Sequence, residues 1–139
     1  MSTPPTTVLG FDFGTRRIGV AIGQTLTQSA RPLTTLRARD GQPDWQEVNR
    51  LLAEWRPDAL VVGLPVHMDG SEHERTQAAR RFGNRLHGRF QLPVIWMDER
   101  LTSDEAERRL REEGGDADEV DAVAAQLIVQ SWLDQHALA

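Results

Sequence analysis

Val8-Leu9-Gly10-Phe11-Asp12-Phe13-Gly14-Thr15-Arg16-Arg17-Ile18-Gly19-Val20-Ala21-Ile22-Gly23 consists of two apolar runs joined at Gly14-Thr15-Arg16. Val, Ile and Phe fit a pleated, buried surface, so the stretch reads as two β-strands. One carboxylate, Asp12, stands inside the first of them. An ionised Asp among Val, Leu and Phe loses its hydration, a cost that only a partner can offset. No basic residue precedes it in the chain, so the fold or a bound cation must bring that partner. Asp12 is therefore read as the anchor of a magnesium-type site that two later acids complete.

Outward from this stretch, a third strand is expected near residues 30–36, followed by a turn at Gly41-Gln42-Pro43. Asp44, with Glu47 three residues on, forms a helix start, and Trp45, Val48, Leu51, Leu52 and Trp55 follow at helical spacing up to Pro57. Ala59-Leu60-Val61-Val62-Gly63-Leu64 is a continuous apolar run, as expected of a strand covered on both faces. After the Asp69-Gly70 turn, Ser71 and Glu74 form a capping box for a helix running to about His87, with Ala78, Ala79, Phe82 and Leu86 inward. Arg81, Arg85 and Arg89 recur every fourth residue and share one stripe of that helix. A solvated helix face explains such a stripe as readily as a phosphate track does.

Pro93-Val94-Ile95-Trp96-Met97 reads as a further strand that delivers Asp98 and Glu99 at its C-terminal end. Thr102 and Glu105 then open a helix whose acids precede its arginines by four residues, the favourable order on an exposed surface. Gly114-Gly115 breaks the chain, and Asp116 or Asp118 opens a last helix with Val120, Val123, Ala124, Leu127, Ile128 and Ser131 inward. Asp121 falls in its first turn, where the helix dipole favours negative charge. The sum is an α/β layered fold of mixed sheet: about five strands, an antiparallel N-terminal hairpin and helices on both faces. The chain forms one domain over 1–139, with 1–7 as a flexible lead-in.

Composition narrows the function classes. The 139 residues contain no cysteine, which excludes disulfides, thiol catalysis and thiolate metal sites. No run approaches the ~20 apolar residues of a membrane span, so a cytoplasmic protein is expected. The net charge of −5 is unevenly spread. Residues 1–97 hold twelve Arg against nine acids, and residues 98–139 hold four Arg against twelve acids. Every basic residue is Arg, the side chain whose planar fork grips phosphate through two hydrogen bonds. Coding bias accounts for an all-Arg chain equally well.

In open α/β sheets, sites form beyond the C-terminal ends of parallel strands. Glu99 lies at such an end, Asp12 is expected on the neighbouring central strand, and Asp121 can close over them from a helix start. Three such carboxylates suit one or two Mg²⁺ (or Mn²⁺) ions, which prefer oxygen ligands and leave room for phosphate. Each acid also has a structural reading: Asp12 as an acceptor for the Thr15 turn, Glu99 as a partner of Arg100, Asp121 as a dipole-favoured helix residue. Strand alternation lets only one of Asp98 and Glu99 face the site. The four histidines lack zinc spacing, and no Gly-x-Ser-x-Gly or Walker loop occurs.

Four segments in order carry a family resemblance: residues 11–21, Val62-Gly63-Leu64-Pro65 leading to Met68-Asp69-Gly70, Asp98-Glu99-Arg100-Leu101-Thr102-Ser103, and Val120-Asp121-Ala122-Val123-Ala124-Ala125. Over nearly its whole length the chain resembles the small bacterial pre-16S rRNA nuclease family, also described as Holliday-junction-resolvase-like, with an RNase H-like three-layer fold. The resemblance implies a cytoplasmic, metal-dependent hydrolase that processes the 5′ end of precursor 16S rRNA in ribosome biogenesis. It places Asp12, Glu99 and Asp121 in the acidic site. It also implies precursor rRNA or ribosomal precursor particles as partners, no membrane, and a monomer or weak dimer. One departure stands out: residues 112–119 are short and acidic where the family carries a basic stretch. Arg16, Arg17, Arg81, Arg85 and Arg89 are left as the nucleic-acid-binding candidates. Alternatives are a DNA junction resolvase, a non-catalytic RNA-binding assembly factor, and an actin-type ATPase sharing the Asp12-Phe13-Gly14-Thr15 pattern.

Overall fold

The structure, a computed structural model, describes residues 6–67, 69–99, 114 and 116–137. The helix expected from Thr102, Arg100 and residues 112, 113 and 115 lie outside the described residues. In chain order the elements are β1 (Thr7–Asp12), β2 (Arg17–Gln24), β3 (Ser29–Arg39), β4 (Gln42–Pro43), α1 (Trp45–Trp55), β5 (Ala59–Leu64), α2 (Glu74–Phe90), β6 (Val94–Asp98) and α3 (Ala117–Ala137). They form a sheet of order β4-β3-β2-β1-β5-β6. β1, β2 and β3 pair antiparallel, and β5 joins β1 and β6 in parallel.

Several local expectations are corrected. The sheet has six strands rather than about five, because two-residue β4 closes a hairpin on β3. Its turn is Asp40-Gly41, with φ of 51° and 81°, the left-handed pair that matches strand twist, and not Gly41-Gln42-Pro43. β3 is longer than 30–36, and its register shifts between Val20 and Ala21, where Pro32 has no N–H to give the ladder. Thr6 and Thr7, expected in the flexible lead-in, are held: Thr6 N and Oγ1 and Thr7 N donate to Asp58 Oδ2 at 3.1, 2.7 and 3.0 Å. α2 is capped by His73 with Thr76 rather than by Ser71 with Glu74. Ser71 is engaged one turn earlier, donating N and Oγ to Asp69 Oδ1. Asp44 caps α1 through Gln46 N at 3.0 Å, and Asp116 caps α3 through Glu119 N at 2.8 Å.

Side-chain alternation divides the sheet into two faces. Leu9, Phe11, Ile18, Val20, Leu60 and Val62 pack on one side with Val48, Leu52, Phe82 and Leu86 from α1 and α2. Phe82 is the hub of that layer, with ring centres 5.6, 5.3 and 6.0 Å from Phe11, Phe13 and Trp45. Val8, Ala21, Ala59, Val61 and Met97 face α3 on the other side. The sheet there is paved with small residues, and a Cβ added at Gly10 or Gly23 would stand 2.1 or 2.3 Å from Val129. α3 therefore lies close against the strands. Its buried stripe contains Ala125, Val129, Trp132 and Leu133, while Val123, Leu127 and Ser131 are only half-buried. Val120, Ala124 and Ile128 are buried as expected; apolar residues occur nearly all round this helix, so spacing alone did not fix the rest of the stripe. Among the described residues no helix is long and apolar enough to cross a membrane.

Candidate active site

Asp12 is the last residue of β1, and its pleat points it to the α3 side. Its partner across β2 is Gly19. Phe11 pairs with Val62, which puts Gly63 of β5 beside Asp12 on the other flank. Glycine on both sides leaves space directly over the carboxylate. Two other acids border that space. A Cβ at Gly63 would meet Glu99 Oε1 at 2.7 Å, and one at Gly19 would meet the Asp121 carbonyl oxygen at 1.8 Å.

Register also decides between Asp98 and Glu99. Met97 pairs with Gly63 and faces α3, whereas Asp98 pairs with Leu64 on the opposite face. Glu99, two residues beyond Met97, returns to the Asp12 side.

The electrostatics report the same meeting. Burial holds the Asp12 carboxyl well above the usual carboxylate range, and a hydrogen bond with the Glu99 side chain raises it further. The negative charges of Glu99 and Asp121 act in the same direction, and Arg75 pulls back. Asp12 thus takes up its negative charge less readily than an exposed carboxylate, with Glu99 as its hydrogen-bond partner. Asp121 is near enough for its charge to be felt, but its own Oδ2 accepts from Arg17 Nε at 2.8 Å. Among the described residues, accordingly, no three His, Asp or Glu side chains stand together in a metal-holding group.

A cleft of about 840 Å³ is lined by Arg16, Arg17, Arg75, Arg81 and Arg85 together with Asp40 and Glu74, and of the three acids Asp121 borders it. The loop carrying Arg16 is fixed from β3 and the β3–β4 turn, since Ala38 N donates to Arg16 O at 2.8 Å and Gly41 N to Thr15 O at 3.0 Å. Four of the five candidate arginines therefore share one cleft. Arg89 stands outside it, its guanidinium 4.3 Å from the Trp45 ring centre. Arg75 was not among the candidates. Its only trace in the sequence is its place near the start of a helix that follows a parallel strand. Arg80, on the same helix, instead binds Glu72 at 2.9 and 2.7 Å.

A family model described as "RuvX: Holliday junction resolvase" matches residues 6–135. The chain belongs to the RuvX family. A RuvX relative from Aeromonas salmonicida, named "Putative pre-16S rRNA nuclease", is 54% identical over 132 residues, covering 92% of this chain and 94% of the relative. A protein of the same name from Paraburkholderia xenovorans is 55% identical over 128 residues, covering 92% and 88%. Among solved structures, T. thermophilus RuvC in complex with a Holliday junction substrate aligns with a TM-score of 0.56 at 17% identity, over 94% of this chain and 96% of that one. The yeast mitochondrial Holliday junction resolvase Ydc2 aligns with a TM-score of 0.59 at 12% identity, over 99% and 81%. At such identities the likeness is one of fold, and the RuvX chain has the resolvase-type RNase H-like architecture.

Proposed function

We propose that this RuvX protein is a nuclease that hydrolyses phosphodiester bonds with a divalent cation, acting on the 5′ end of precursor 16S rRNA. One observation carries the reading: half-buried Asp12 meets Glu99 and feels Asp121, and Asp121 in turn borders an arginine-lined cleft. Arginines alone would bind a phosphate chain, and acids alone would repel it. Both in one cleft make sense where the acids hold a cation against the strand. The donor set fits that cation: carboxylate oxygens suit Mg²⁺ or Mn²⁺, and the negative neighbours that raise the Asp12 carboxyl mark a place where a positive charge is favoured. Asp12 and Glu99 would hold the ion, with Asp121 as third ligand once Arg17 lets it go. When bound, the ion supplies an activated water and charge stabilisation at the leaving oxygen. Arg16, Arg75, Arg81 and Arg85 would grip flanking phosphates through their planar forks. A cytoplasmic site of action and precursor ribosomal particles as carriers of the substrate belong to the same reading.

The test is Mg²⁺-dependent cleavage of a precursor 16S rRNA 5′ fragment by the wild type and by Asp12→Asn. Equal turnover by both defeats the proposal. The family description favours a second reading, resolution of DNA four-way junctions. A junction substrate run in parallel decides between them, since cleavage of junctions in preference to the rRNA fragment would transfer the assignment. Binding of the rRNA fragment with no turnover at all would instead make the protein a non-catalytic assembly factor.

A further inference from the structure

α2 carries its arginine stripe beyond the cleft. Arg89 follows Arg85 by one turn, about 6 Å along the axis, comparable with the phosphate step of a single strand. Its guanidinium lies 4.3 Å from the centre of the Trp45 ring. Trp45 in turn stacks on buried Phe82, 6.0 Å away and inclined by 24°. Around this stack Gln46, Asn49, Arg50 and Phe90 enclose a shallow depression of about 740 Å³. Two of its lining residues are arginines and none is acidic, whereas the neighbouring cleft also carries Asp40, Glu74 and Asp121. Among the described residues neither Arg50 nor Arg89 is ion-paired. Arg80 makes the contrast: it too lies over a ring, 5.5 Å from Trp96, but its donors are taken by Glu72. The chain links the two hollows, with Asp40 and Gly41 bordering the cleft and Trp45 and Gln46 the depression.

We propose that this depression is a second binding site for the nucleic-acid strand, holding one or two unpaired nucleotides that leave the cleft along Arg81, Arg85 and Arg89. The proposal rests on the nucleic-acid reading of the cleft given above. A guanidinium held against an indole has less rotamer freedom to lose, and its N–H edge stays free for phosphate. Its outer face offers a platform on which a splayed base can stack, which favours a single strand over a closed duplex.

The experiment is anisotropy titration of labelled single-stranded RNAs of about four and about twelve nucleotides, in EDTA to prevent cleavage. Wild type is compared with the double variant Arg50→Ala/Arg89→Ala, with Arg50→Lys/Arg89→Lys, and with Arg56→Gln as an exposed charge control. The longer RNA should bind the wild type more tightly than the shorter. The alanine pair should lose that length advantage, weakening the longer RNA about fivefold or more, the low end of one lost base stack. Its salt slope should fall by about 1.4, the equivalent of two single-strand phosphate contacts. The lysine pair should recover the slope but not the full affinity, since an ammonium keeps the charge without the stacking plane. Arg56→Gln should match the wild type. A length advantage and salt slope unchanged in the alanine pair, with its thermal unfolding intact, overturns the second site alone. Wild type that binds neither RNA, in EDTA and again with Mg²⁺ restored, overturns the nucleic-acid reading beneath it.

Discussion

Gly19→Ala is the sharpest perturbation this architecture offers. The added Cβ would lie 1.8 Å from the Asp121 carbonyl oxygen and 2.3 Å from its carbon, where 3.0 Å is the practical minimum. The obstacle is backbone, so no rotamer change relieves it. The first turn of α3 must retreat by about 1.2 Å, the gap between those distances. Overpacking of this kind costs typically about 1–3 kcal/mol. At about 3–4 °C per kcal/mol for a chain of this size, the melting temperature should fall by roughly 3–12 °C. The retreat carries Asp121 with it, and a misplacement of about 1 Å at a reacting centre can cost about a hundredfold in rate. Gly10→Ala is the matched comparison, because it strikes only the Val129 side chain, away from the acids. Thermal unfolding and Mg²⁺-dependent RNA cleavage are measured on both variants. Gly19→Ala should lose stability and nearly all turnover, and Gly10→Ala stability alone. Wild-type turnover in a destabilised Gly19→Ala would refute the claim that this contact sets the position of Asp121.

The other expectations concern charge and core. Because burial and its acidic neighbours raise Asp12 in the folded state, the stability it allows is complete below the unfolded carboxylate range and lost as pH climbs through the raised value. In EDTA at neutral pH Asp12→Asn should therefore melt higher than the wild type, and the advantage should vanish below about pH 4; melting curves against pH that show no such crossover count against the buried-acid picture. Arg17→Gln releases Asp121 from a half-exposed ion pair, so calorimetric Mn²⁺ affinity should rise roughly two- to fivefold, and an unchanged or weaker affinity would mean that the pair does not compete with the cation. Phe82→Ala empties the hub joining Phe11, Phe13 and Trp45 and should cost about 3–5 kcal/mol, read as a fall in melting temperature of roughly 10–20 °C.

The reading of the site from sequence went furthest where burial and charge conflict. Asp12 stood out because an acid inside an apolar strand needs a positive partner; the fold brings Glu99 and Asp121, which oppose its charge, and Arg75, which favours it. The choice between Asp98 and Glu99 could not be made until the pairing of Met97 with Gly63 fixed the pleat of β6. The arginine stripe was visible as a four-residue repeat, yet spacing could not tell that Arg85 borders the cleft while Arg89 turns to Trp45. Arg75 carried no periodic mark at all.

What the sequence determined by itself is the order and type of the described elements apart from β4, and the two-sided burial of β5. Those follow from local periodicity, which each segment carries within a dozen residues. The meeting of Asp12 with Glu99, the Arg17–Asp121 pair and the dividing of one arginine stripe between two hollows were decided by tertiary structure. They depend on register between strands and on how near α3 may come to glycines at 19 and 63. Such contacts join residues about a hundred positions apart, and no local pattern encodes the distance between them.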